Sequence, residues 1–170
     1  MRNIVIVGFM GTGKTTVAKA TAKNLGKEYV NTDDIIEQRE GRSINEIFAN
    51  DGEAYFRKVE KEIVKEVSLQ SDQVIDAGGG IVLDEENMSN LRKKGTIICL
   101  WADPETIWER TKKYEHRPLL NVEDPKKKIK ELLDYRRPFY EKADFHIDSN
   151  VDDVSAIVKE IKRIIYEKEE

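Results

Sequence analysis

The sequence predicts an α/β protein built on a parallel sheet flanked by helices, and three observations carry that prediction. Short apolar runs of strand length alternate along the chain with longer segments of helical period, the pattern of successive βαβ units. A glycine-rich turn links the first apolar run to the first helix-compatible segment. The 170 residues are enough for one proper core and too few for two comfortable ones, so a single domain over residues 1–170 is expected.

The first strand is drawn over Asn3–Gly8, on the run Ile4-Val5-Ile6-Val7. The helix after the turn runs to about Leu25, where Gly26 supplies the stop. Tyr29–Thr32 reads as the second strand, and Ser43-Ile44-Asn45-Glu46 as a capping box that opens a helix. Gln73–Ala77 and Thr96–Trp101 are the third and fourth strands. Asp103-Pro104 and Asp124-Pro125 each pair an N-cap with proline at the first helical position. Phe145–Asp148 is the fifth strand, and the last helix begins near Val151. Its Val154, Ile157, Val158, Ile161, Ile164 and Ile165 form one apolar stripe, a packing face. All five strands are short enough for a sheet buried on both sides. The polar, Lys- and Glu-rich segment 112–123 is long enough to act as a mobile lid.

Composition narrows the classes of function. No run of about 18 apolar residues exists and the N-terminus enters a strand directly, which points to a soluble, cytoplasmic protein with no membrane partner. Cys99 is the only cysteine, so an internal disulfide and a cysteine-based metal cluster are both excluded. A net charge of -4 offers no footing for a nucleic-acid partner. A monomer is expected.

The turn itself, Gly8-Phe9-Met10-Gly11-Thr12-Gly13-Lys14-Thr15, satisfies G-x-x-x-x-G-K-[ST] at every specified position. Such a loop aims backbone N–H groups at phosphate oxygens, so the pattern marks a nucleoside triphosphate site, with Gly11, Thr12, Gly13, Lys14, Thr15 and Thr16 as its contacts. Lys14 adds a charge near the β- and γ-phosphates, and Thr15 offers its hydroxyl directly to Mg²⁺. A phosphate loop does not by itself choose between a kinase, a hydrolase and a switch. Asn31-Thr32-Asp33-Asp34 ends the second strand, and the carboxyl ends of parallel strands face the ligand crevice, so Asp33 is placed to meet Mg²⁺ or an attacking hydroxyl. Asp76-Ala77 closes the third strand ahead of Gly78-Gly79-Gly80, where backbone can approach a small ligand closely. Asp76 sits where a Walker-B carboxylate would.

Over essentially its whole length the chain resembles the shikimate kinases. The resemblance rests on the phosphate loop, on Asn31-Thr32-Asp33 with Ile36-Glu37, on Gly41-Arg42-Ser43-Ile44 leading to Ile47-Phe48, and on Gly52-Glu53 leading to Phe56-Arg57. It continues through Gly78-Gly79-Gly80, Arg117-Pro118-Leu119-Leu120 and Arg136-Arg137-Pro138-Phe139-Tyr140. It implies a three-layer α/β/α P-loop kinase with strand order 2-3-1-4-5, and ATP- and Mg²⁺-dependent phosphorylation of the 3-hydroxyl of shikimate on the route to chorismate and the aromatic amino acids. By that resemblance Asp33 is the general base, within a substrate-binding segment at about 33–60. Arg57 and Arg136 form a cationic fork for the substrate carboxylate, a geometry that guanidinium serves better than ammonium. Gly78, Gly79 and Gly80 would offer backbone N–H groups, and Phe48 and Phe56 apolar walls. Arg117 would swing from the lid onto the phosphates, joining Lys14 and Mg²⁺ in stabilising the charge of phosphoryl transfer. Arg110 would pack against adenine, with the loop 148–151 on its other side. His116 and His146 receive no role.

The chain departs from the family pattern in one place. The triplet usually opens with an aspartate near the metal, and here it opens with Asn31; the position two residues ahead of the glycine triplet is usually small and uncharged, and here it is Asp76. With strands two and three adjacent, Asn31 and Asp76 would lie side by side at one edge of the crevice, both within reach of Mg²⁺ through its water shell, and keep one carboxylate near the metal. Two other readings stay open: a related polyol kinase such as a gluconate kinase, and a nucleotide-binding regulatory module without transferase activity. Within the first, Arg57 and Arg136 weigh against an uncharged polyol, which gives them nothing to bind. Intact Lys14, Thr15, Asp33 and Arg117 weigh against the second.

Overall fold

The computed structural model describes residues 2–114 and 120–169. Five parallel strands, β1 (Asn3–Gly8), β2 (Glu28–Asn31), β3 (Gln73–Asp76), β4 (Gly95–Trp101) and β5 (Phe145–Asp148), form one sheet in the order β2-β3-β1-β4-β5. Among the described residues seven α-helices cover it: α1 (Lys14–Leu25), α2 (Thr32–Glu40), α3 (Ile44–Val67), α4 (Glu85–Lys94), α5 (Pro104–Thr111), α6 (Pro125–Tyr140) and α7 (Val154–Glu169). Among the described residues no helix is long and apolar enough to cross a membrane.

The alternation of side chains along each strand divides the core in two. Ile4 and Ile6 of β1, with Ile98 and Leu100 of β4, pack against Val17, Ala18 and Ala22 of α1 and Ile157, Ile161 and Ile164 of α7. Val5 and Val7, with Ile97 and Cys99, face the other way onto Ile47, Phe56, Ile63 and Val64 of α3 and Ile129 and Leu133 of α6. The apolar stripe of α7 is thus a packing face. Cys99 is fully buried, and burial pushes its thiol up to about 12, so it stays an inert core residue.

β2 and β4 begin one residue earlier than drawn, at Glu28 and Gly95, and β3 ends one residue earlier, at Asp76; two further boundaries differ through a side-chain cap. Thr32 belongs to α2 and not to β2, because the Asn31 side chain caps that helix. The last helix starts at Val154, three residues later than drawn, because Asp153 accepts from the Ala156 N–H at 2.9 Å and sets the cap there. Ser43 and Glu46 complete the capping box of α3, and Asp103 and Asp124 cap α5 and α6 ahead of their prolines. Within α3, Gly52 adopts φ 82° and ψ 174°, which breaks the helix into two segments at an angle. The bend brings the rings of Phe48 and Phe56 to 4.9 Å.

Candidate active site

All the carboxyl ends of the strands lie at one edge of the sheet, where a cleft of about 1370 Å³ opens. It runs without interruption from the phosphate loop to the glycine triplet, and it is large enough for a nucleotide and a small second ligand together.

The phosphate loop leaves β1 and enters α1. Gly13, the N-cap of α1, has φ 89° and provides no side-chain cap, so the first N–H groups of the helix point into the cleft for an anion. Thr12 is buried, with its hydroxyl donating to the Phe9 carbonyl at 2.7 Å, and Lys14 Nζ donates to the same carbonyl at 3.1 Å. Arg110, from α5, ties this loop to the loop that follows β5. Its guanidinium donates to the carbonyls of Gly11 and Ser149 at 3.2 and 2.6 Å and pairs with Asp152 at 2.7 Å. The structure therefore brings together Arg110 and the loop 148–151, the two segments that the sequence reading set on either side of adenine.

On the opposite side, Asp33 sits in the first turn of α2 and faces the third-strand loop. A Cβ added to Gly78 would lie 2.7 Å from Asp33 Oδ1 and 3.2 Å from Glu60 Oε2, so the absent side chain is what admits both carboxyl groups. Both oxygens are buried without a hydrogen-bond partner. Burial pushes Asp33 up to about 6, with the Asp76 charge adding to it and Lys14 and Arg57 opposing it. Burial likewise pushes Glu60 up to about 7 despite its ion pair with Arg57 Nη1 at 2.8 Å. That pair, with Glu53 at 3.3 Å, fixes the Arg57 guanidinium directly over Gly80, where any Cβ would fall on it.

Arg136 comes from α6 and is 4% exposed. Its guanidinium stacks 5.5 Å from the centre of the Phe9 ring, and its Nε is buried without a partner. Tyr140, one helical turn on, donates to the Gly79 carbonyl at 2.6 Å and anchors α6 to the glycine triplet. A buried cation with an unpartnered N–H, at the same end of the cleft as a second guanidinium held by carboxylates, has the chemistry to pair with a carboxylate. Phe48 and Phe56 line the same end of the cleft.

Asn31 and Asp76 are register partners across β2 and β3. Asp76 Oδ2 accepts from the Thr15 hydroxyl at 2.6 Å, the Tyr29 hydroxyl at 3.0 Å and Asn31 Nδ2 at 3.0 Å. Burial, above all, pushes the Tyr29 hydroxyl up to about 12, so it stays protonated and able to donate. Among the described residues no group of three or more His, Cys, Asp or Glu side chains could hold a metal by itself. A phosphate-loop threonine beside a single buried carboxylate nevertheless fits Mg²⁺, which keeps several waters and completes its shell with substrate phosphates.

Of the residues singled out from the sequence, Lys14, Thr15, Asn31, Asp33, Phe48, Phe56, Arg57, Asp76, Gly78, Gly79, Gly80, Arg110 and Arg136 all line the one cleft, with Gly11, Thr12, Gly13 and Thr16. Arg117, His116 and the centre of the proposed lid lie outside the described residues. Three residues received no site role in the sequence reading. Glu60 lies three residues after Arg57, the spacing of a helical ion pair, and that was its only signal. Tyr29 and Tyr140 looked like ordinary apolar positions of a strand and a helix, and only the fold shows where their hydroxyls reach.

Comparison with known proteins adds an independent line. A family model described as shikimate kinase matches residues 10–166. The chain is 49% identical over 168 residues to the shikimate kinase of Thermodesulfovibrio yellowstonii, covering 96% of this chain and 97% of that protein. Among solved structures, a shikimate kinase from Acinetobacter baumannii in complex with shikimate aligns with a TM-score of 0.95 and 34% identity, over 99% of this chain and 94% of that one. The shikimate kinase of Aquifex aeolicus aligns with a TM-score of 0.85 and 35% identity, over 96% of each chain.

Proposed function

Because the chain belongs to the shikimate kinase family, we propose that it transfers the γ-phosphoryl group of ATP to the 3-hydroxyl of shikimate, giving shikimate 3-phosphate and ADP. The observation that carries this reading is the acceptor pocket: Arg57 and the buried Arg136 on one side, and Asp33 with an unpartnered oxygen facing Gly78 on the other. A carboxylate bearing hydroxyls matches those groups, and an uncharged polyol leaves both arginines without an anion.

In this reading Arg57 and Arg136 hold the substrate carboxylate, and Phe48 and Phe56 wall the ring. Asp33 accepts the proton of the attacking hydroxyl as its oxygen bonds to phosphorus and the bond from phosphorus to the ADP oxygen breaks. An acid with its pKa near 6 is ionised at neutral pH yet basic enough for that task. The phosphate loop and Lys14 bind the triphosphate, and Arg110 with the loop 148–151 borders the base. Arg117 supplies a further cation from the lid. Mg²⁺, when bound, neutralises and orients the phosphate oxygens; Thr15 would hold it directly and Asp76 through its water shell. The reactants are small anions, and we place the reaction in the cytoplasm, carried out by a monomer on the route to chorismate and the aromatic amino acids.

The test is a coupled assay of ADP release with ATP and Mg²⁺, offering shikimate, quinate, gluconate or no acceptor, with Asp33→Ala as the blank. Turnover that requires shikimate and is lost in the variant supports the assignment. Turnover with gluconate but not shikimate, or equal ADP release without acceptor, overturns it.

A further inference from the structure

We propose that Asn31 is a positioning residue that holds the general base and the magnesium-side carboxylate in one frame, and that this site requires an amide at that position because Asp76 is its neighbour. The inference rests on the kinase reading above, since it takes Asp33 as the base and Asp76 as the carboxylate near the metal.

The Asn31 amide is engaged at both ends. Its Oδ1 accepts from the backbone N–H groups of Asp33 at 2.9 Å and Asp34 at 3.1 Å, and so caps α2 at the turn that carries the base. Its Nδ2 donates to Asp76 Oδ2 at 3.0 Å and to the Tyr29 hydroxyl oxygen at 3.2 Å. The partners themselves dictate this orientation, because the backbone N–H groups of Asp33 and Asp34 cannot accept, so the amide oxygen must face them and the NH₂ group faces Asp76. One planar group thus fixes both the backbone of Asp33 and the carboxylate of Asp76.

Each of the three donors to Asp76 Oδ2, the hydroxyls of Thr15 and Tyr29 and the amide of Asn31, is neutral. They orient the carboxylate without cancelling its charge, which stays available to a cation beside Thr15. With its oxygen committed to α2 and its nitrogen to Asp76, Asn31 has no lone pair left for the metal side. Aspartate at the same position would keep the cap but turn an oxygen toward Asp76 at hydrogen-bond distance, where two carboxylates repel. Alanine would lose both contacts.

The experiment is a double-mutant cycle on metal-free protein at pH 7.5, read by thermal melting, with Mn²⁺ binding to the ADP complex read by electron paramagnetic resonance. Neither measurement needs shikimate, so a failed acceptor assay and a failed cycle are distinguishable. Asn31→Asp is expected to lower the melting temperature by several degrees in the native background and by far less when Asp76→Asn is already present, because the paired exchange restores one amide and one carboxylate. Asp76→Asn is expected to weaken Mn²⁺ binding at least tenfold, and Asn31→Ala less than threefold. In turnover, Asn31→Ala should lower kcat while KM for shikimate stays within twofold, the mark of a displaced base and not of a damaged pocket. An equal cost of Asn31→Asp in both backgrounds, or equal losses of Mn²⁺ affinity in Asp76→Asn and Asn31→Ala, would overturn the proposal.

Discussion

Asp33 carries a cost in stability that its role explains. Its carboxyl is pushed up to about 6 by burial, so the folded protein holds that proton more tightly than the unfolded chain does. The penalty for ionising it is therefore fully present above about pH 6 and disappears as pH falls toward the ordinary carboxylate range near 4. Asp33→Asn should stabilise the protein at pH 7.5 by on the order of 2 kcal/mol while abolishing turnover, and melting at pH 7.5 and pH 4.5 should show the gain shrinking at the lower value. Activity runs the other way, because the base works only when ionised. The ratio kcat/KM for shikimate should fall as pH drops through 7 and 6, where first Glu60 and then Asp33 gain their protons. Gly80→Ala tests the geometry of the fork. The added methyl would displace the Arg57 guanidinium from its seat over the loop, so KM for shikimate should rise about tenfold, equivalent to about 1.4 kcal/mol, with KM for ATP unchanged.

At the scale of elements, short local devices set where each site residue points. Asn31 ends β2 and starts α2 in a single step, which turns Asp33 toward the cleft. The break at Gly52 lets the two parts of α3 bring the Phe48 and Phe56 rings into tilted contact. Gly52→Ala would force a Cβ into a positive-φ, extended-ψ conformation that is essentially restricted to glycine, at a cost of about 1–3 kcal/mol, and should lower the melting temperature and raise KM for shikimate together. Arg110 joins α5 to the phosphate loop and to the loop after β5. Its replacement by alanine frees both loops, and we expect KM for ATP to rise about tenfold while KM for shikimate holds. Steady-state kinetics with each substrate varied in turn would check both variants.

For the molecule as a whole, the parallel sheet brings every strand's carboxyl end to one edge, so groups far apart in sequence share a cleft. Thr15 meets Asp76, and Arg136 meets Phe9. The packed core on both faces makes that edge rigid. Truncating Ile6, which is fully buried beneath α1 and α7, to alanine should cost about 2–5 kcal/mol without touching the site, a loss that denaturant unfolding would register as a lower midpoint with an unchanged slope.

The local signals were legible in the sequence because each is written in a few adjacent residues. The phosphate loop, the capping box at Ser43 and the Asp-Pro starts of α5 and α6 need no distant partner, and the alternation of apolar runs with helical segments marks a βαβ chain whatever its register. Arg57 and Arg136 became a pair only through resemblance, since nothing between them in the chain says that α3 and α6 converge on one loop. What the tertiary structure alone decided is how the polar groups share their partners. The register of β2 on β3 sets Asn31 beside Asp76 and brings the Tyr29 hydroxyl to the same oxygen, and the bare backbone at Gly78 lets Asp33 and Glu60 approach one point. Burial and hydrogen bonding depend on distances across the fold, and those distances raise the two carboxyl groups toward neutrality and leave one buried oxygen of each without a hydrogen-bond partner.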